Sequence, residues 1–309
     1  MDFLYKLESI RMPWLDDIML AITTFGEETA FLVIALIVFW CVDKYKGYYV
    51  LGVGLMGTLV SQFMKLLCRV PRPWVLDENF TIVEEAREAA GGYSFPSGHT
   101  QSAVGTFGSI AACVKNRAVA AVCIAIAVLV GFSRMYLGVH TPADVLIGAL
   151  ISLILIFVLK PLMLGNNKRY IPWVFAAMLG LSAAFLAYVE LYPFPADLDA
   201  HNYESALKNA YTLLGCCAGV LVIWFADEKK LHFDTKAVWW AQIIKVVLGL
   251  LAVLAVKEGL RSPLEALFGG ALIARAVRYF LIVLTAGILW PLSFRFFGKL
   301  GKKKAEEAK

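Results

Sequence analysis

The chain has 309 residues, of which 60% are hydrophobic and only 17% charged, far more apolar side chain than one soluble core can hide. That excludes an ordinary water-soluble domain and makes lipid part of the solvent. The formal net charge of +5 does not imply a nucleic-acid partner, because the basic residues form no stripe that a phosphate backbone could follow.

The first 25 residues carry Asp2, Lys6, Glu8, Arg11, Asp16 and Asp17 and lack the apolar centre of a cleavable signal peptide, so none is expected. Apolar runs suited to a helical crossing follow near residues 28–43, 47–66, 97–115, 118–137, 141–163, 170–190, 208–226, 237–256 and 269–292. The expected fold is an all-α integral membrane protein, a polytopic helical bundle with about nine transmembrane helices. Residues 13–27 either continue the short first run or lie in the interface. Six cysteines, Cys41, Cys68, Cys113, Cys123, Cys216 and Cys217, sit mostly inside apolar runs without zinc-site spacing and read as packed thiols.

Loops near 43–47, 115–117, 160–170 and 227–236, with the tail from Arg295, hold more than half of the 29 basic residues and are expected on the cytoplasmic side. The acidic stretch 190–204 then lies outside, and nine crossings put the Lys-rich C-terminus inside. The polar stretch 165–169 is the natural seam. It divides a motif-bearing core, 1–163 with its N-terminal interfacial segment, from further transmembrane helices in 164–309.

Three segments place charged and imidazole side chains at or near membrane depth, where such groups are costly and usually functional. In residues 65–73, Lys65 closes the second run, while Pro71 and Pro73 hold Arg72 on a stiff, extended segment. A lysine point charge and an arginine fork at one aqueous edge suit phosphate oxygens. Taken alone, the pair reads equally well as interfacial cations snorkelling to head groups.

In residues 93–100, Pro96 and Ser97 mark a helix start whose free N–H groups bind anions, and Gly98 allows close backbone approach. His99 beside them is a candidate proton donor; the competing reading is a helix cap and a surface histidine.

In residues 133–144, Arg134 ends the fourth run, Gly138 permits a turn, and Thr141 and Pro142 open the next helix. Asp144 suits either the acid of a capping box or the carboxylate that orients His140, one turn away. The two roles are compatible. Successive crossings bring all three segments to one side of the membrane.

The pattern Lys65-x6-Arg72-Pro73, Pro96-Ser97-Gly98-His99 and Ser133-Arg134-x5-His140-x3-Asp144 resembles the three signatures of the type-2 phosphatidic acid phosphatase superfamily, complete at every signature position. That superfamily also includes soluble vanadium haloperoxidases and membrane glucose-6-phosphatases. The resemblance implies a nucleophilic His140 that forms a phosphohistidine, Asp144 as its orienter and His99 as the acid for the leaving group. It implies that Lys65, Arg72, Ser97, Gly98 and Arg134 bind phosphate oxygens with neither metal nor cofactor. Phosphoryl transfer needs charge stabilisation and in-line positioning above all, which this set of side chains supplies.

The expected function is hydrolysis of a lipid phosphate or diphosphate at the extracytoplasmic face of the plasma membrane. Substrates of the phosphatidate, lysophosphatidate, isoprenyl diphosphate or phosphatidylglycerophosphate type fit, with the bilayer as the only other partner expected. A small soluble substrate such as a sugar phosphate, and a non-enzymatic transporter or scaffold, stay open as alternatives.

His201 and His232 read as solvated loop residues, and Glu84 and Glu85 lack the other donors of a metal site. The amphipathic stretch 81–90, flanked by Trp74 and Tyr93, suggests a partial lid. In the last apolar run, Arg275 and Arg278 share one helix face. They either pair with Glu258 or Glu265 or contact a polar lipid head group.

Overall fold

A computed structural model of the protein describes residues 1–195 and 198–300, and the Lys-rich tail beyond them lies outside the described residues. The chain is helical, with no strand among the described residues. In order the helices are α1 (Asp2–Glu8), α2 (Pro13–Thr23), α3 (Glu28–Ile37), α4 (Lys44–Cys68), α5 (Pro73–Leu76), α6 (Gly98–Ala103) and α7 (Ser109–Cys113). Then come α8 (Arg117–Tyr136), α9 (Pro142–Leu164), α10 (Ile171–Leu191), α11 (Ala200–Ala226), α12 (Trp239–Gly259), α13 (Arg261–Leu267), α14 (Ile273–Leu284) and α15 (Phe294–Phe297).

Seven helical stretches are long and apolar enough to cross a bilayer, or up to eight when the pair Pro13–Gly26 and Glu28–Val42, bent by 54°, is counted as one span. The expected count of nine is therefore approximate. The bend falls at Glu27, whose extended backbone separates the two halves. The run expected at 97–115 is the composite of α6, a π-helical turn at Val104–Gly108, and α7. It rises only about 24 Å at about 1.5 Å per residue, short of a hydrocarbon core of about 30 Å. Helix α11 starts eight residues earlier than its apolar run, because Asp199 caps it by accepting from the Asn202 N–H at 2.7 Å.

The chain forms two compact units. The first comprises Met1–Ile34, Tyr49–Pro161 and Tyr188–Leu207. Helix α8 is its axis, packed by α1, α2, α6 and α7. Its residues Cys123, Ala127, Val130 and Arg134 recur at helical spacing, so one buried stripe runs along it. The small side chains on that stripe let neighbouring backbones approach, the usual means by which helices associate in lipid. The opposite surface, with Val122, Ile124 and Val128 exposed, is left for acyl chains.

Helix α9 carries a second stripe at intervals of four: Asp144, Gly148, Ser152 and Ile156. A Cβ at Gly148 would stand 2.6 Å from the Ser97 carbonyl oxygen, and the Ser152 hydroxyl donates to the Gln101 carbonyl at 2.6 Å. Helices α6 and α9 are thus in near backbone contact. Gly26 acts likewise from the other side, since a Cβ there would meet the His99 carbonyl oxygen at 2.8 Å.

The second unit comprises Ala35–Tyr48, Leu162–Ala187 and Lys208–Lys309. The Trp40 indole donates to the Ala286 carbonyl at 2.9 Å, and Lys44 pairs with the buried Asp227 at 2.8 Å. A Cβ at Gly249 would strike the rings of Trp290 and Trp40, so that glycine admits both indoles. The expected pairing of Arg275 and Arg278 with Glu258 or Glu265 is absent. Glu258 lies 3.6 Å from Lys257 and Glu265 lies 3.4 Å from Arg261, because the turn between α12 and α13 keeps these carboxylates with their local cations.

Of the six cysteines only Cys123 and Cys217 are buried, and Cys68 is exposed at the end of α4, so "packed thiols" holds for a minority. His232 is exposed, as expected. His201 is exposed as well, although it lies in the first turn of α11 rather than in a loop.

Candidate active site

The site is assembled where three chain breaks meet. Helix α4 ends because Arg69 takes a left-handed conformation, φ 50°, and Pro71 and Pro73 prevent continuation. Lys65 and Arg72 are buried, only 9% and 5% exposed, so the snorkelling alternative fails. Their donors point to backbone carbonyls of the loop before α6 and of the turn between α8 and α9. Lys65 Nζ donates to Tyr93 O at 2.9 Å, while Arg72 donates to Gly91 O at 2.9 Å, Gly92 O at 3.0 Å and Val139 O at 2.9 Å.

Arg72 Nη1 also lies 2.9 Å from His140 Nε2. The same Nη1 is 3.5 Å from Nδ1, so it sits beside the ring, and it is the Asp144 carboxylate, which can only accept, that puts the ring proton on Nδ1. That proton faces Asp144 Oδ2 at 3.4 Å. The same carboxylate oxygen accepts from the Thr141 N–H at 2.8 Å, and Thr141 Oγ1 accepts from the Asp144 N–H at 3.3 Å. This is a reciprocal capping box. The fixed cap therefore fixes the carboxylate that faces the imidazole.

Ser94, absent from the sequence reading, is wholly buried and donates to Asp144 Oδ2 at 2.6 Å, with His140 Nδ1 3.4 Å from the hydroxyl. The signal for it was faint: a serine three residues before the cap Ser97, in a segment otherwise closed by Phe95 and Pro96. Burial and the neighbouring charges of Arg72, Arg134 and Lys65 hold the His140 ring well below the ordinary histidine range, hence neutral.

Helix α6 begins at Gly98, with Ser97 as its cap; Ser97 Oγ accepts from the Thr100 hydroxyl at 3.0 Å and from the Thr100 N–H at 3.4 Å. The Ser97 N–H donates to the Asp144 carbonyl at 3.0 Å, and the Ser94 N–H to the Val70 carbonyl at 2.9 Å. Those two bonds tie the second motif to the third and to the first. A Cβ at Gly98 would meet nothing within 4 Å, so space is open beside this helix start. His99 is half-buried rather than a surface histidine, and its Nε2 is buried without a partner.

Arg134, in the last turn of α8, is fully buried. Its Nη1 donates to Thr23 Oγ1 at 2.8 Å, whereas Nε and Nη2 are buried without partners. Gly138, at φ +81°, makes the turn that returns the chain from α8 to His140. The charges of Lys65, Arg72 and Arg134 all reach both imidazoles.

Residues 81–90 form no helix beyond one 3-10 turn at Glu84–Ala86. Val83, Ala86 and Ala90 pack against Tyr136, Leu137 and Val139, so the segment covers the end of α8 beside His140. A cavity of about 790 Å³ adjoins it, bounded by Arg69, Arg72, Trp74, Arg87, Gly91 and His201. Glu84 pairs with Arg87, and among the described residues no group of three histidine, cysteine or carboxylate side chains is placed to hold a metal ion.

The model of the PAP2 superfamily matches residues 45–168, and that of the PAP2 superfamily phosphatase transmembrane extension matches residues 211–304. The chain is 34% identical to phosphatidylglycerophosphatase B of Bacillus subtilis over 160 residues, 49% of this chain and 76% of the relative. It is 33% identical to undecaprenyl-diphosphatase BcrC of the same organism over 144 residues, 46% of this chain and 71% of the relative. No solved structure matches. With this coverage of named phosphatases, and with helices that fit a bilayer, the chain belongs to the PAP2 superfamily and is one of its integral membrane phosphatases.

Proposed function

We propose that the protein hydrolyses a lipid phosphate or diphosphate through a phosphohistidine on His140, without a metal, at the extracytoplasmic face of the plasma membrane. One observation carries the reading: Arg134 Nε and Nη2 are buried donors without partners, His99 Nε2 is a buried ring nitrogen without one, and both residues act electrostatically on the neutral His140. Buried donors of this kind are costly unless an acceptor visits them, and a phosphoryl group supplies several acceptor oxygens.

His140 Nε2, which holds its lone pair outward, attacks phosphorus as the bond to the leaving oxygen breaks. His99, protonated once the anionic substrate offsets the neighbouring cations, gives that oxygen its proton and becomes neutral. Water then attacks the phosphohistidine, His99 takes the proton, and inorganic phosphate leaves with His140 regenerated. Asp144, steadied by Ser94 and the Thr141 N–H, stabilises the Nδ1 proton as charge develops on the ring. Arg72 transfers its Nη1 donor from Nε2 to a phosphate oxygen, and Lys65 exchanges the Tyr93 carbonyl for another. The loop at 91–93 is therefore a lid that yields to substrate. Lys65, Arg72 and Arg134 do the charge neutralisation that a divalent ion does elsewhere.

The lipid class rests on the named relatives, which act on phosphatidylglycerophosphate and undecaprenyl diphosphate by name, and on a cavity that leads to Arg72. The outward orientation rests on the basic residues of the opposite loops. The test is phosphate release by purified protein in chelator from phosphatidylglycerophosphate, undecaprenyl diphosphate, phosphatidate, lysophosphatidate and glucose 6-phosphate. Lipid turnover in chelator, lost in His140→Ala and trapped as a labelled phosphoenzyme in His99→Ala, is expected. Turnover that requires added divalent metal, or of glucose 6-phosphate alone, refutes the reading.

A further inference from the structure

The second unit contains a cavity of about 410 Å³ with no counterpart among the motifs. It is bounded by Lys208 of α11, Arg261 and Glu265 of α13, and Arg275 and Arg278 of α14. The one carboxylate in this lining, Glu265, is held by Arg261 at 3.4 Å, which leaves the two arginines of α14 as the cations to be accounted for. Arg275 Nε donates to Thr212 Oγ1 at 2.6 Å, and both α14 guanidinium groups lie over the Tyr279 ring, at 5.4 and 5.6 Å. Among the described residues no carboxylate pairs with either guanidinium. Arg278 is only 9% exposed, and its Nε is buried without a partner.

A guanidinium buried in the second turn of an apolar helix is costly unless an acceptor satisfies it, and phosphate oxygens match its fork. Gly269 and Gly270, both at positive φ, turn the chain tightly into α14, and Gly270 itself lines the cavity. We propose that this cavity binds a phosphate-bearing anion, with Arg278 as anchor and Arg275, Arg261 and Lys208 completing the charge. Its position at the membrane end of α14 makes an anionic phospholipid head group the occupant. The site lies outside the three motifs, and its standing does not depend on the phosphatase reading.

The experiment is native mass spectrometry of the full chain in detergent with added phosphatidylglycerol or phosphatidylcholine, for wild type, Arg278→Gln and Arg278→Lys. The expected result is one retained phosphatidylglycerol, with phosphatidylcholine not retained, weakened at least tenfold by Arg278→Gln and less by Arg278→Lys. Inorganic phosphate at millimolar concentration separates the sources. Failure to displace the lipid supports a head-group site, whereas full displacement, with phosphate binding that depends on Arg278, supports the anion site and overturns the lipid assignment. Wild-type affinity for phosphatidylglycerol in Arg278→Gln, with an unchanged thermal unfolding midpoint, overturns the proposal. If that variant does not fold, Arg275→Gln is judged by the same threshold.

Discussion

Gly148→Ala is the sharpest test of how the site is held together. The added Cβ would lie 2.6 Å from the Ser97 carbonyl oxygen, where ordinary contact begins at 3.4 Å, so α6 and α9 must part by about 0.8 Å. Neither partner is the loose end of a side chain. Ser97 caps the helix bearing His99, and its N–H is bonded to the carbonyl of Asp144, one turn before Gly148. Separation therefore shifts the helix that bears His99 relative to the helix that follows His140. Misplacement near 1 Å costs about 100-fold in rate, about 2.7 kcal/mol, and overpacking of this kind costs about 1–3 kcal/mol in stability. We expect kcat/KM for the lipid substrate to fall roughly 100-fold, with most of the loss in kcat. Gly180→Ala is the control, because a Cβ there meets nothing within 4 Å. Activity within threefold of wild type in folded Gly148→Ala would show that this backbone contact does not set the alignment.

Ser94→Ala removes a 2.6 Å bond to the buried Asp144 carboxylate, and a bond to a charged group is worth about 1.5–3 kcal/mol. A kcat lower by about 10- to 100-fold, with KM nearly constant and partial recovery in Ser94→Thr, is expected; a change confined to KM refutes the positioning role. Arg134→Lys keeps the charge and loses the planar fork, so kcat/KM should fall at least about 100-fold, and full activity would refute the use of Nε and Nη2. His140 is held neutral in the fold, below its unfolded value of 6.5, so the unfolded chain binds the extra proton first as pH falls. Its contribution makes the fold lose up to about 1.4 kcal/mol per pH unit below 6.5, and His140→Gln should unfold with a flatter acid dependence of Tm in detergent. Identical acid slopes in the two proteins would refute that assignment.

Hydropathy alone settled the solvent, the helical class and most of the span positions, since each crossing needs its own apolar run whatever the helices later touch. Spacing within 65–73, 93–100 and 133–144 likewise marked the three segments that carry the candidate site, because prolines, a glycine turn and helix caps fix local backbone without tertiary help. Contact between elements distant in the chain was not legible. Ser94 reaches Asp144 across 50 residues, Arg134 reaches Thr23 across 111, and Gly148 matters only because Ser97 lies against it. The count of about nine spans stayed approximate for a tertiary reason: the apolar run at 97–115 folds as α6, a π-helical turn and α7, none of them long enough to count as a span by itself.

The same division separates charge from pairing. Composition revealed two arginines on one face of α14 and carboxylates nearby in sequence. Only the folded chain decided that Glu258 and Glu265 stay with Lys257 and Arg261, leaving Arg278 Nε buried and unsatisfied. The sequence by itself determined which chemistry the chain carries, because residue types and local spacing are properties of a one-dimensional string. The tertiary structure decided which buried donors are satisfied and which are left without a partner, because satisfaction is a property of neighbours in space.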